Sequence, residues 1–255
     1  MWLECPEIVK KARPGQFVMV GCGPDCTLRR PISIHQSNSN GVALFFSVWE
    51  DGKGTQWLSR RKPGETIDTI GPLGNGFQIN SKSKNLLLVA GGIGIAPLRF
   101  LAEDALSRMY LVKMLQGASG EYQSRDKPNP SQLYPKHLLP LKMDALAFRT
   151  IECSPDGKSG MVTELLTQKI EGGTETYIDW SDEIFSCGPL PMYKTMSRMP
   201  ELKNKPVQVS LEVRMACGLG ICYGCTVKTR SGLKQVCHDG PVFNLCDVLW
   251  DEVVC

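Results

Sequence analysis

Apolar and polar positions change rhythm about a third of the way along the chain. From Gly15 to about Phe77 the apolar runs are short and broken by glycine, proline and asparagine, as in "QFVMVGC", "RRPISIHQ", "GVALFFSVW" and "ETIDTIGPLG". Such spacing predicts several short antiparallel strands, hence a small β-barrel or sandwich. From Asn85 the runs lengthen. "NLLLVA" reads as a continuous apolar strand, "GGIGIAP" as a tight glycine turn and "LRFLAEDAL" as an amphipathic helix. "RMYLVKMLQGA" predicts another strand, and "GMVTELLTQ" and "EIFSCGPLPMYKTMSRM" add helix and strand-turn-helix units. Strands alternating with helices imply a parallel α/β sheet. The polar segment 119–137, with three prolines, reads as a surface loop inside this unit. From about Gln208 a cysteine-rich stretch forms a third, small module.

Composition sets the broad class. With 255 residues, 42% apolar, 22% charged and a net charge of +3, the chain is expected to be soluble and globular, with proper cores. No basic block points to nucleic acid as the main partner. The longest apolar stretch, from Asn85, carries three glycines and a proline and then turns polar, so no membrane span is expected. The first twenty residues lack the pattern of a secretory signal, and the expected location is the cytoplasm. In a reducing compartment, clustered thiols point to metal binding or redox chemistry rather than disulfides. Of eleven cysteines, Cys217, Cys222, Cys225, Cys237, Cys246 and Cys255 crowd the end of the chain.

Spacing among these cysteines carries the strongest chemical signal. Cys217, Cys222 and Cys225 are separated by four and then two residues, and Cys237 follows after eleven more, the plant-type [2Fe-2S] ligand spacing. Gly218, Gly220 and Gly224 allow the positive φ angles and inward N–H groups that wrapping a cluster requires. A four-cysteine zinc site normally shows two CxxC knuckles, and only Cys222 and Cys225 make one. Cys246 competes with Cys237 as fourth ligand; Cys237 is favoured because "GLKQVCHDGP" reads as a strand end followed by a turn.

Two further motifs are weak alone. In "RRPISI", Arg30 can pair with a diphosphate while Ser33 hydrogen-bonds a flavin edge, and Gly54-Thr55 before a helix can face phosphate. Arg30 could equally be a surface residue and "GKGT" a capping turn. "VAGGIGIAPL" and "FSCGPLPMYKTM" each set glycines between a strand and a helix, at the carboxyl edge where α/β sheets bind ligands. Cys187 there could be plain core.

Taken in order, "RPIS" and "GT", then "GGIGIAP" and "CGP", then "SLEVRMACGLGICYGCTVKT" and "VCHDGPVF" resemble the ferredoxin-reductase superfamily and, within it, the electron transfer subunits of type B dihydroorotate dehydrogenase. The resemblance runs from about Pro14 to about Val248. It implies an α+β multidomain fold: an antiparallel flavin-binding β-barrel (1–80), an α/β parallel-sheet nucleotide-binding domain (81–207) and a small [2Fe-2S] module (208–255). It implies FAD at Arg30, Pro31, Ile32, Ser33, Ser47, Val48, Trp49, Gly54 and Thr55. Pyridine nucleotide falls to Gly91, Gly92, Gly94, Cys187 and Gly188, and the cluster to Cys217, Cys222, Cys225 and Cys237. The implied partner is an FMN-containing catalytic subunit, in a heterotetramer of two plus two, with electrons passing between it and NAD. The first barrel strand expected before "ECPEIVKKARPGQFV" is mostly missing, which would weaken the barrel edge. Cys246 and Cys255 have no place in the motif. Rival readings are a flavoprotein subunit of an NAD(P)H:ferredoxin oxidoreductase, a sulfide dehydrogenase or a soluble hydrogenase, and a zinc-stabilised binding protein.

Overall fold

In the computed structural model, residues 1–119, 148–153, 161–170 and 172–253 are described; the predicted surface loop lies, Ser119 apart, outside them, as does Cys255. The first unit comprises β1 (Trp2–Glu4), α1 (Pro6–Val9), β2 (Phe17–Val20), β3 (Arg30–Ser37), β4 (Gly41–Leu44), α2 (Lys53–Ser59) and β5 (Thr69–Leu73). The strands form an antiparallel sheet in the order β1-β4-β3-β2-β5. Alternation explains its two faces: Val18, Val20, Ile32, Ile34, Val42 and Leu44 turn into one buried cluster with Leu58 of α2. The edge strand β1 is three residues long.

The second unit holds β6 (Asn85–Gly91), α3 (Ile95–Ser107), β7 (Leu111–Ser119), β8 (Phe148–Cys153), α4 (Val162–Leu165), α5 (Tyr177–Trp180), β9 (Glu183–Cys187), α6 (Leu190–Arg198) and β10 (Val207–Ser210). A hairpin of β11 (Thr226–Thr229) and β12 (Gly232–Gln235) follows, then β13 (Val242–Asn244). The large sheet runs β13-β10-β9-β6-β7-β8. Every pairing in it is parallel except that of β13 with β10. The expected boundary near 208 therefore cuts through a sheet, because the strand after the cysteines returns to pair with the strand before them. Cores merge as well: Met19 of β2, Val89 of β6, Val209 of β10 and Val227 of β11 share one buried cluster.

Helix α3 closes the seam between the two sheets. His35 of β3, 2% exposed, directs Nδ1 at the Ala96 carbonyl at 2.8 Å, so that nitrogen carries the proton. Alongside, Gln36 Nε2 donates to Glu103 Oε1 at 2.7 Å, and Arg99 Nε donates to the same oxygen at 3.2 Å. The His35 ring sits on Phe45, centroids 5.2 Å apart. Burial disfavours its charged form and depresses its pKa from 6.5 to about 4, with a smaller contribution from the Arg99 charge.

That depression couples folding to acid. Between pH 6.5 and about 4 the unfolded chain binds a proton at His35 that the native seam refuses, so stability falls as pH drops through this window, by about 3 kcal/mol at most. In urea titrations, His35→Asn, whose amide can keep the Ala96 contact, should lose clearly less stability than the parent from pH 7 to 4.5. Parallel losses would move the acid sensitivity to other groups.

Candidate functional site

Three clusters of chemistry lie along the junction of the two sheets. A cavity of about 800 Å³ opens there between β3, the segment after β4, the start of α3 and the segment after β10. It continues into a trough of about 530 Å³, with which it shares Leu28, Arg30, Trp49 and Thr55. Of the residues expected at a flavin, Arg30, Pro31, Ile32, Ser33, Ser47, Trp49 and Thr55 line the cavity, and Gly54 lines the trough. Val48 does not join them: it is half exposed and faces a different groove, beside Trp2 and Ile67. Gly54 and Thr55, expected before a helix, stand inside the first turn of α2, which starts at Lys53. A Cβ on Gly54 would lie 3.1 Å from Cys22 Cβ, so glycine lets α2 close on Cys22, with Arg30 Nε alongside at 3.5 Å. Arg30, the hydroxyls of Ser33, Ser47 and Thr55, and exposed aromatic surface suit a flavin dinucleotide, whose diphosphate is anionic and whose rings are flat and apolar.

On the nucleotide side, the turns after β6 and β9 abut. A Cβ on Gly188 would fall 3.0 Å from Gly91 Cα, and one on Gly94 would fall 2.0 Å from the Cys187 carbonyl oxygen. Gly91, Gly94 and Gly188 are thus required by packing between the turns. Gly92 differs: at φ +54 its Cβ position meets nothing within 4 Å, so its face is open. Cys187 is fully buried, and its Sγ–H is directed at Glu212 Oε1 at 3.8 Å. Burial pushes the Cys187 thiol well up and raises the Glu212 carboxyl too. Glu212, reachable from the cavity it lines, escaped the sequence reading, as did Phe45, Ile93 and Ala96 on the same wall. A lone acid directly after a buried strand was the one available signal.

Four thiols gather on the loop after Met215 and on the hairpin. Cys217 and Cys222 interact, as do Cys225 and Cys237, whose N–H donates to Cys225 Sγ at 3.4 Å. Two other N–H groups point at sulfur: Leu219 to Cys217 at 3.4 Å and Gly220 to Cys237 at 3.2 Å. Such donors support thiolate ligands. The Leu219 N–H, with help from Cys222, lowers the Cys217 pKa to about 6, whereas burial beside Cys225 pushes Cys237 up to about 12. Gly218 and Gly220 sit at φ +70 and +75, and Tyr223 at +58. Among the described residues no three His, Cys, Asp or Glu side chains converge as a single ion would require. Two adjacent pairs suit a two-iron cluster, which takes two thiolates on each iron, better than one tetrahedral zinc. Cys246 is exposed and turned to Asp247, not to this group. Burial grades across the ligands: Cys225 and Cys237 are buried, Cys217 is half-buried and Cys222 is exposed beside Ile221 and Tyr223.

Comparison with known proteins meets this geometry at both levels. Residues 212–249 match the family model for the iron-sulfur cluster binding domain of dihydroorotate dehydrogenase B. The electron transfer subunit of dihydroorotate dehydrogenase B (NAD(+)) from Desulforamulus reducens is 38% identical, over 98% of this chain and 92% of its own. The same subunit from Caldanaerobacter subterraneus is 34% identical, over 94% and 89%. Among solved structures, an NADH-dependent reduced ferredoxin-NADP oxidoreductase superposes with a TM-score of 0.76 at 30% identity, covering 98% of this chain and 84% of that one. The ferredoxin reductase of carbazole 1,9a-dioxygenase shares the fold, at a TM-score of 0.55 and 21% identity over 78% and 60%.

Three substitutions test these assignments. Cys222→Ser should abolish the electron paramagnetic resonance signal of the reduced protein while bound FAD is retained, and Cys246→Ser should leave it intact; the reverse pattern would exchange the two residues. Arg30→Ala removes a charge-assisted contact and should weaken FAD binding roughly ten- to a hundredfold in titrations of flavin-stripped protein.

Proposed function

The chain belongs to the family of dihydroorotate dehydrogenase B electron transfer subunits, and from that footing we propose that it carries electrons between an FMN-containing dehydrogenase subunit and NAD. The route is a [2Fe-2S] cluster and FAD, serving the oxidation of dihydroorotate to orotate in pyrimidine biosynthesis. One observation carries the reading. The segment Leu211–Met215 leaves β10 at the nucleotide turns, lines the flavin cavity, and reaches the first cysteine two residues later. Two residues span at most roughly 7 Å, so a single stretch of backbone places nucleotide edge, cavity and thiols in series.

Bound flavin exchanges electrons singly or in pairs, which lets a hydride carrier serve a one-electron centre. The chain's own groups supply the rest. Arg30 and Thr55 hold the diphosphate, and Ser33 and Ser47 face the polar edge of the ring. The open face of Gly92 and the start of α3 receive the phosphates of the pyridine nucleotide. Cys187 and Glu212 border its reactive end, where desolvation raises the pKa of both the thiol and the carboxyl. Cys217, Cys222, Cys225 and Cys237 hold the cluster. We assign 1–80 to the flavin, 81–207 to the nucleotide and 208–255 to the cluster, of which 211–241 is an excursion from the sheet.

Leu219, Ile221 and Tyr223 are 46%, 71% and 70% exposed around the outermost thiol. This apolar rim fits the catalytic subunit, in a heterotetramer of two plus two, since a one-electron step needs a short path across the interface. Among the described residues no helix is long and apolar enough to cross a membrane, and we place the assembly in the cytoplasm. The solved oxidoreductase at 30% identity favours one alternative, a flavoprotein subunit of an NAD(P)H:ferredoxin oxidoreductase.

Anaerobic purification together with neighbouring gene products, assayed for iron, sulfide, FAD and FMN, decides between them. The expected result is co-elution with an FMN subunit and dihydroorotate-dependent NAD+ reduction. Co-elution with a ferredoxin-reducing partner, and no response to dihydroorotate, would select the alternative. A colourless protein holding zinc and no flavin would reject both.

A further inference from the structure

Tyr193, on α6, is 2% exposed, and its hydroxyl is shared by two backbone groups of the nucleotide edge. It accepts from the Gly188 N–H at 2.9 Å and donates to the Ser210 carbonyl at 2.6 Å. The ring is braced against Trp250, centroids 5.0 Å apart. Gly188 directly follows Cys187 at the end of β9, and Ser210 ends β10, two residues before Glu212. One phenol therefore ties together the two strand ends that present the thiol and the carboxyl.

The same bond changes what the turn can offer a ligand. Pro189 and Pro191 have no N–H, and the Met192 N–H is spent on the Pro189 carbonyl at 2.9 Å. With the Gly188 N–H bound to Tyr193, the start of α6 is poor in donors and ill suited to phosphate. The turn after β6 carries no proline before Pro97. The two strand-helix turns therefore differ in donors: the one after β6 can offer backbone N–H groups to phosphate, and the one after β9 has few to offer.

Resting on the functional reading above, we propose that Tyr193 is a positioning residue for the pyridine nucleotide. By clamping Gly188 to Ser210 it holds the buried Cys187 in register with Glu212, which lines the cavity, and it withholds the Gly188 amide from phosphate. Losing the hydroxyl loosens the reactive end of the site without touching flavin or cluster.

Tyr193→Phe, made in the full chain with its cofactors, keeps the ring and the Trp250 contact. NADH oxidation with ferricyanide as acceptor should show KM raised roughly three- to tenfold and kcat within twofold of the parent, a modest loss because the two hydrogen bonds removed hold the site rather than the nucleotide itself. Calorimetric titration with NAD+ should show the same loss, hydrogen exchange over 187–192 should quicken, and iron and FAD contents should hold. Trp250→Phe is the control: it weakens the brace but keeps both hydrogen bonds, so it should lower Tm and leave KM unchanged. An unchanged KM in Tyr193→Phe, or an equal rise in Trp250→Phe, rejects the positioning role. If the parent neither holds FAD nor oxidises NADH, the functional reading falls, and this inference with it.

Discussion

The pairing of β13 with β10 is the constraint on which the rest depends. Ser210 faces Val242 across that ladder, so residues 211–241 leave the sheet and come back to it at the same point. A loop pinned at both ends cannot drift. Its outgoing limb must pass the nucleotide turns and line the cavity, and its return limb must bring Cys237 back beside Cys225. Asn75, just past β5, adds a third anchor by donating Nδ2 to the carbonyls of His238 and Asp239 at 3.2 and 3.1 Å. Gly218 adds a fourth where a Cβ would press 2.5 Å from Met19 Cγ. Barrel, sheet and thiol loop are one packed body as a result.

Within that body, close approach and electrostatics have separate jobs. Glycines at 91, 94 and 188 allow two strand-helix turns to touch, which no side chain would permit. The polar groups at the seam range from buried His35 and Cys187 to exposed Arg30. Burial depresses the His35 pKa and raises those of Glu212 and Cys187, while backbone donors lower that of Cys217. Desolvation thus dominates at His35 and Cys187, and backbone hydrogen bonding at Cys217.

Legibility in the sequence followed the range of the interactions involved. The cysteine spacing was readable because coordination geometry acts locally and tolerates few alternatives. The strands "QFVMV", "RRPISI" and "GVALFF" were readable from alternation, which also shows why Val48 parts from Ser47 and Trp49: successive side chains leave opposite sides of an extended segment. Gly91 and Gly188 were read as ligand glycines, and the structure adds a packing role that exists only once the two turns meet. The limit drawn near 208 failed to show the sheet's continuity because β13 finds its partner some thirty residues back along the chain. Glu212 and Tyr193 were hidden for the same reason, since their roles are made by β9 and β10 arriving side by side.

The pinned loop also bears on the order of assembly. Many small metal-binding domains acquire their shape only as the metal arrives, so that folding and loading are one event. Here the ladder, the Asn75 bridges and the Met19 contact hold the thiol-bearing limbs through protein contacts alone. Cys222, the exposed one of the four thiols, is where solvent reaches that anchored loop.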